Sequence, residues 1–282
     1  MELLELVGEV SNIRRTAARP LGLVPTMGAL HAGHISLVRR AIADNRSVVA
    51  SIFVNPAQFA SDEDVKNYPK DISRDISLLE AEGVDVVFAP APGEMYSEDF
   101  DTRVIVEQTA KRLEGEHRPK HFTGVTTVVA KLLNIIQPEK AYFGQKDAQQ
   151  LAVIRRMVAD LNMDIDIVAV PTVRESDGLA CSSRNVNLTL NQRRAAPVLH
   201  RSLIRAKQMW ENGARDPTEL EIEVRRTLDH TPEVDSVDYV SIVDPATMIG
   251  ATNLGEPALI LVALRMGGTR LTDNIVLCSP DD

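Results

Sequence analysis

Short apolar runs alternate with amphipathic stretches through the first two-thirds of the chain. LGLVPTMG (21–28), SVVASIFV (47–54), VDVVFAP (84–90), KAYFG (140–144) and DIDIVAVPTV (164–173) read as strands. Between them HISLVRRAIADN (34–45), ISRDISLLEAEG (72–83), GVTTVVAKLLNIIQP (124–138) and DAQQLAVIRRMVADLN (147–162) carry the helical period. Unalternated Val and Ile runs suit strands covered on both faces, so the pattern predicts an α/β fold with a doubly wound parallel sheet. After about Val173 the rhythm changes. Helical patterns over 191–212 and 217–228 precede the strand-like VDYVSIV, ALILVAL and TRLTDNIVL, with Asp216-Pro217 as an N-cap and first turn. A domain over 1–172 followed by a smaller α+β domain over 173–282 is the expected division.

Composition narrows the function classes. Of 282 residues, 44% are hydrophobic and 25% charged, with a net charge of −9. That balance argues against a broad basic surface for nucleic acid, which leans on many phosphate contacts, but leaves room for a local anion site. The chain shows neither a signal-peptide order nor an apolar run long enough for a bilayer, so a cytoplasmic protein without membrane contact is expected. Two cysteines, Cys181 and Cys278, make neither a disulfide scaffold nor a zinc spacing and are expected to be reduced.

The candidate chemistry lies at strand ends, where ligands bind in open parallel sheets. In VPTMGALHAGH (24–34) two histidines and two glycines follow a strand, with His34 expected to begin the next helix. A helix N-terminus suits phosphate, and Gly28 and Gly33 let the backbone come close. A neutral imidazole there donates an N–H to oxygen that gains charge, although His31 and His34 also read as loop and cap residues. Zinc is disfavoured by the spacing, and neither a P-loop nor a G-x-G-x-x-G occurs. Cys181-Ser182-Ser183-Arg184-Asn185 offers hydroxyls and a guanidinium for terminal phosphates, or is a polar turn. Gly144-Gln145-Lys146-Asp147 brings a cation for phosphate and a carboxylate for a ribose hydroxyl or a helix cap; Gln150 follows one turn on. Asn55-Pro56-Ala57-Gln58-Phe59 carries amides for hydroxyls and carboxylates, or is a turn. The mixed-charge 116–122 reads by default as a solvated loop, and Trp210 as packing.

Together PTMGALHAGH, SIFVNPAQF, HRPKHFTGV, YFGQKDAQQL, VPTVRESDGLACSSRN and TRLTDNI resemble, in order and over nearly the whole chain, the pantoate–β-alanine ligases of the cytidylyltransferase-like adenylating superfamily. The resemblance implies a Rossmann-like fold of the HxGH nucleotidyltransferase type, with the C-terminal domain acting as a lid. It implies an enzyme that joins pantoate and β-alanine through a pantoyl-adenylate, with Mg²⁺ accompanying ATP, in a homodimer. ATP would lie along Met27, Gly28, Ala29, Leu30, His31, Ala32, Gly33 and His34. His34 is the expected catalytic proton donor, and His31 and Lys146 are expected on the phosphates. Gly144, Gln145, Lys146, Asp147 and Val173 would hold the adenosine and α-phosphate side. Cys181, Ser182, Ser183 and Arg184 would close over the outer phosphates. Gln58 and Gln150 would hold pantoate, with Asn55 and Arg118 nearby; Gln58 would also meet β-alanine, and Asp75 would contact the metal. Gln145, Ala148 and Asn187 depart from the usual family pattern beside these contacts. Rival readings are a nucleotidyltransferase that stops at an adenylated or cytidylated product, and a noncatalytic nucleotide sensor.

Overall fold

A computed structural model describes residues 1–255 and 257–278. In chain order the elements are β1 (Glu2–Leu4), α1 (Val7–Thr16), β2 (Leu21–Thr26), α2 (Ala32–Asp44), β3 (Ser47–Ile52), α3 (Asp62–Asn67), α4 (Ile72–Glu82), β4 (Val86–Phe88), α5 (Pro92–Met95), α6 (Glu114–His117), α7 (His121–Ile136), β5 (Lys140–Gly144), α8 (Ala148–Asp160) and β6 (Asp166–Val170). They continue with α9 (Leu190–Ala195), α10 (Val198–Glu211), α11 (Pro217–Asp229), β7 (Ser236–Val243), β8 (Ala258–Met266) and β9 (Thr269–Leu277). Among the described residues no helix is long and apolar enough to cross a membrane.

Two compact units result: residues 1–145 with 153–171, and residues 146–152 with 172–282. The first holds a parallel sheet in the order β1-β4-β3-β2-β5-β6. From β2 the chain winds outward to β3 and β4 on one side and later to β5 and β6 on the other. The order therefore reverses between β2 and β5, which is where an open sheet binds ligands. β2 and β3 stay in register over six residues, from Leu21–Ser47 to Thr26–Ile52. The β2–β5 pairing covers Gly22–Lys140 and Leu23–Ala141 and stops short of both carboxyl ends. Val24, Val48, Ala50, Val87 and Tyr142 from the strands pack with Leu37, Val38 and Ala41 of α2 and Leu79 of α4 on one face. The alternate positions Leu23, Val49 and Phe143 are buried as well, which is the double-sided burial that the Val/Ile runs predict.

The second unit is an antiparallel sheet, β7-β8-β9, with α10 packed on β9 and α11 on β7. Asp216 caps α11 as expected, accepting the Thr218 N–H at 2.9 Å. Trp210 is packing, its Nε1–H donating to Leu254 O at 3.0 Å. The single helix expected over 191–212 is instead two, broken at Pro197, which lacks the N–H a continuous helix needs. Residues 146–152 join this unit although the sequence pattern placed them with the first. A physical tie accounts for it: Asn274 Nδ2 of β9 donates to Lys146 O at 2.8 Å.

Candidate active site

β2 ends at Thr26, and the chain turns through two left-handed residues, Gly28 (φ +80°) and Ala29 (φ +51°). A Cβ on Gly28 would come within 2.9 Å of Asp75 Oδ2, so glycine answers both the angle and the crowding. Ala29 lacks that freedom and is held from outside the turn. Asp75, in the first turn of α4, accepts the Ala29 N–H at 2.8 Å with one oxygen and the Leu30 N–H at 2.9 Å with the other. Its carboxylate is 1 % exposed. Expected beside a metal, Asp75 is here a clamp on the turn, its oxygens aimed at backbone rather than solvent. Leu30 sinks into the core of the first unit and anchors the turn from below.

α2 starts at Ala32, two residues before the expected His34, because His31 is its N-cap. His31 Nδ1 accepts the Gly33 N–H at 3.1 Å, and His34 Nδ1 accepts the His31 N–H at 3.3 Å. The rings lie 4.1 Å apart between centroids. An Nδ1 that accepts an N–H calls for the tautomer with the ring proton on Nε2, an Nε2–H donor in each ring. Of the two readings weighed from the sequence, the structure shows the capping one. Capping at Nδ1 leaves each ring's other nitrogen for the proton.

The turn after β3 sits beside this one. Asn55 caps the 3-10 turn Pro56–Gln58, its Oδ1 accepting the Ala57 N–H at 3.2 Å. Its Nδ2 donates to Gly124 O at 3.0 Å and to Gln58 Oε1 at 3.1 Å. Gln58 is 9 % exposed, and its Nε2 lies 2.7 Å from Met27 Sδ, so a residue expected on pantoate touches one expected on ATP. α7 reaches the turn closely: a Cβ on Gly124 would be 2.3 Å from Ala57 O. Within 116–122, Glu116, His117, Pro119 and Lys120 are exposed, as the charges suggest, whereas Arg118, His121 and Phe122 are not. The stretch is the junction of α6 and α7, and it folds onto this turn. Arg118 Nη2 donates to Gln58 O at 3.5 Å, and His121 Nδ1 is 3.1 Å from the same oxygen. His121 and Tyr96, whose hydroxyl donates to Asn55 Oδ1 at 2.8 Å, were not singled out from the sequence. His121 was present in the quoted HRPKHFTGV motif; Tyr96 had no local signal.

Gly144 closes β5 and Gln145–Asp147 form a 3-10 turn, so α8 opens at Ala148 and Gln150 lies half-buried in its first turn. In the second unit, Val173 to Cys181 make a hairpin: the Cys181 N–H donates to Val173 O at 2.9 Å and the Glu175 N–H to Leu179 O at 2.8 Å. Arg174 forks onto Asp273 at 2.6 and 3.0 Å, and Arg193 onto Glu175 and Asp177 at 2.5 and 2.6 Å. The Arg193 hydrogen bond holds the Asp177 carboxyl below the usual range. Burial, more than the charge of Glu175, pushes the Cys181 thiol up, and both cysteines are free thiols. Ser182 Oγ accepts the Arg184 N–H at 3.3 Å and caps the 3-10 turn Ser183–Asn187. Lys146, Ser182, Arg184 and Arg270 line one shallow recess of this unit, bringing together three of the residues expected on phosphate.

Comparison with known proteins agrees over the full length. The chain is 50% identical over 280 residues to the pantothenate synthetase of Koribacter versatilis, covering 98% of this chain and 96% of that one. The crystal structure of pantothenate synthetase from Thermus thermophilus matches with a TM-score of 0.92 at 46% identity, over 98% of this chain and 99% of that one. The pantoate-beta-alanine ligase of Francisella tularensis, complexed with beta-gamma ATP and beta-alanine, matches with a TM-score of 0.80 at 32% identity over all of both chains. The family model for pantoate-beta-alanine ligase spans residues 2–276, and the chain belongs to that family.

Proposed function

We propose that this chain joins pantoate to β-alanine at the expense of ATP, releasing AMP and pyrophosphate. The observation that carries the site assignment is the reciprocal His31–His34 cap at the reversal point of the sheet. It presents two Nε2–H donors where a helix N-terminus already favours phosphate.

A carboxylate is a poor acyl electrophile until its oxygen becomes part of a leaving group. In the first step a pantoate oxygen attacks the α-phosphorus and the bond to the bridging oxygen breaks, giving pantoyl-adenylate and pyrophosphate. The β-alanine amine then attacks the acyl carbon, the C–O bond to AMP breaks, and the amine proton leaves to solvent. The turn from Met27 to His34 lies along the phosphates. The Nε2–H of His34 hydrogen-bonds the bridging oxygen as charge builds on it, and the Nε2–H of His31 does the same for a neighbouring phosphate oxygen. Lys146 is a point charge on phosphate, beside Gly144, Gln145, Asp147 and Val173 for the nucleoside. Cys181, Ser182, Ser183 and Arg184 hold the outer phosphates. Gln58, Gln150, Asn55 and Arg118 hold pantoate, and Gln58 also borders β-alanine. The protein's share is alignment and charge neutralisation.

Mg²⁺ enters as a companion of ATP. No group of three or more His, Cys, Asp or Glu suited to a metal occurs among the described residues, which fits an ion held by phosphate oxygens and water. When bound it would neutralise phosphate charge. A homodimer is the proposed assembly, to be checked by sedimentation.

The deciding experiment is exchange of labelled pyrophosphate into ATP with pantoate supplied or omitted, followed by AMP release with and without β-alanine. Exchange that needs pantoate, and AMP release that needs β-alanine, are expected. Exchange indifferent to pantoate refutes the ligase; nucleotide binding with no exchange would make the chain a sensor.

A further inference from the structure

A side-chain amide has a donor end and an acceptor end, and only its partners decide which way round it sits. Here the partners decide twice in succession. The backbone N–H of Ala57 is solely a donor, so the Asn55 atom facing it at 3.2 Å is the oxygen. The Tyr96 hydroxyl reaches that same oxygen at 2.8 Å. The Asn55 nitrogen must then face Gly124 O, solely an acceptor, at 3.0 Å, and Gln58 at 3.1 Å. The Gln58 atom meeting that N–H is in turn its oxygen. Its nitrogen is left on the side of Met27.

Tyr96 is placed to hold this relay. It follows α5, with its ring 6.1 Å from Phe53 and 5.0 Å from Phe100 between centroids, and Lys131 Nζ 5.9 Å from its centre. Burial outweighs the opposing charge of Arg103 and pushes its hydroxyl up to about 12, so it remains an O–H donor through the neutral range. Asn55, at 1 % exposed, is locked between this hydroxyl and α7.

We propose that Tyr96 is a positioning residue: it holds Asn55 in the orientation its backbone partners select, and Asn55 in turn sets the direction of the Gln58 amide, so that Gln58 offers N–H rather than C=O to the acid substrate. Gln58 therefore selects an oxygen that accepts, a carboxylate or hydroxyl, and disfavours a donor such as an amine or amide nitrogen in that place. The inference rests on the assignment of Gln58 to pantoate.

The test measures pantoate and ATP constants in pyrophosphate exchange for the wild type and for Tyr96→Phe, Asn55→Asp and Gln58→Ala, with a melting temperature for each. Tyr96→Phe keeps the ring packing and removes one hydrogen bond; it should raise the pantoate KM roughly 3- to 10-fold and leave the ATP KM within about 2-fold. Asn55→Asp puts an acceptor against Gln58 Oε1, which turns the Gln58 amide round, and should raise the pantoate KM more than Tyr96→Phe does. Unchanged pantoate constants in both variants, or equal loss for both substrates in step with a lowered melting temperature, overturn the relay. Normal pantoate use by Gln58→Ala overturns the assignment of Gln58 and the relay with it. Loss in Gln58→Ala alone overturns only the relay.

Discussion

Replacing Asp75 by Asn exchanges one carboxylate oxygen for an NH₂ group at a position where both oxygens accept backbone N–H groups, from Ala29 at 2.8 Å and Leu30 at 2.9 Å. One bond survives, and the other becomes N–H facing N–H. Hydrogen bonds to a charged group contribute about 1.5–3 kcal/mol each, and a stranded buried donor adds to the loss. Relief from burying a charge offsets part of it, which leaves an expected destabilisation of about 2–3 kcal/mol. The clamp also holds Ala29 at φ +51°, a conformation that costs a non-glycine residue roughly 1–2 kcal/mol. Released, the turn should relax toward negative φ and carry His31 and His34 with it, and a misplacement of about 1 Å can cost ~10²-fold in rate. Urea unfolding gives the stability change, and pyrophosphate exchange at saturating substrates gives the turnover. A stability change below about 0.5 kcal/mol with turnover within about 2-fold would refute the clamp. Full recovery of turnover by excess Mg²⁺ would instead return Asp75 to the metal.

Other outcomes follow from the same geometry. His34→Ala should lower AMP formation about 10²- to 10⁴-fold, because it removes the Nε2–H donor; near-normal turnover would exclude that role. Gly124→Ala puts a Cβ 2.3 Å from Ala57 O, so it should displace the Pro56–Gln58 turn and cost about 1–3 kcal/mol. Pantoate-dependent exchange should fall while ATP binding, followed by calorimetry, persists; equal weakening of both would contradict the local effect. His200 is held below the ordinary histidine range by burial first and by the Arg174 charge second, against the pull of Asp273. A depressed histidine binds fewer protons folded than unfolded, so stability should fall as pH drops below about 6.5 and level off below the folded value. In denaturant melts, His200→Gln should flatten that slope, and an unchanged slope would assign it to other groups.

Much of the fold was legible because it is written in neighbours. The Val and Ile run at 47–54 and the apolar Ala141, Tyr142 and Phe143 of β5 are buried on both faces, and Asp216-Pro217 starts its helix where the residues say it should. The strand-end position of both histidines was legible too, since a strand, a glycine turn and a helix start lie within a dozen residues. β1 and α1 were not: a three-residue strand has no period to read, and α1 presents one fully buried residue, Val10, to the core.

The sequence by itself determined which residue types stand at each strand end, because hydrophobic period and turn chemistry act over a few residues. Only the tertiary structure decided their partners. Asp75 meets Leu30 across 45 positions, Tyr96 meets Asn55 across 41, and Asn274 meets Lys146 across 128. Those pairings depend on the order in which strands are laid into the sheet, and on which helix end then faces which turn. Local pattern carries no record of that order. A buried carboxylate or amide therefore acquires its role, metal contact or backbone clamp, only from the atoms that packing brings to it.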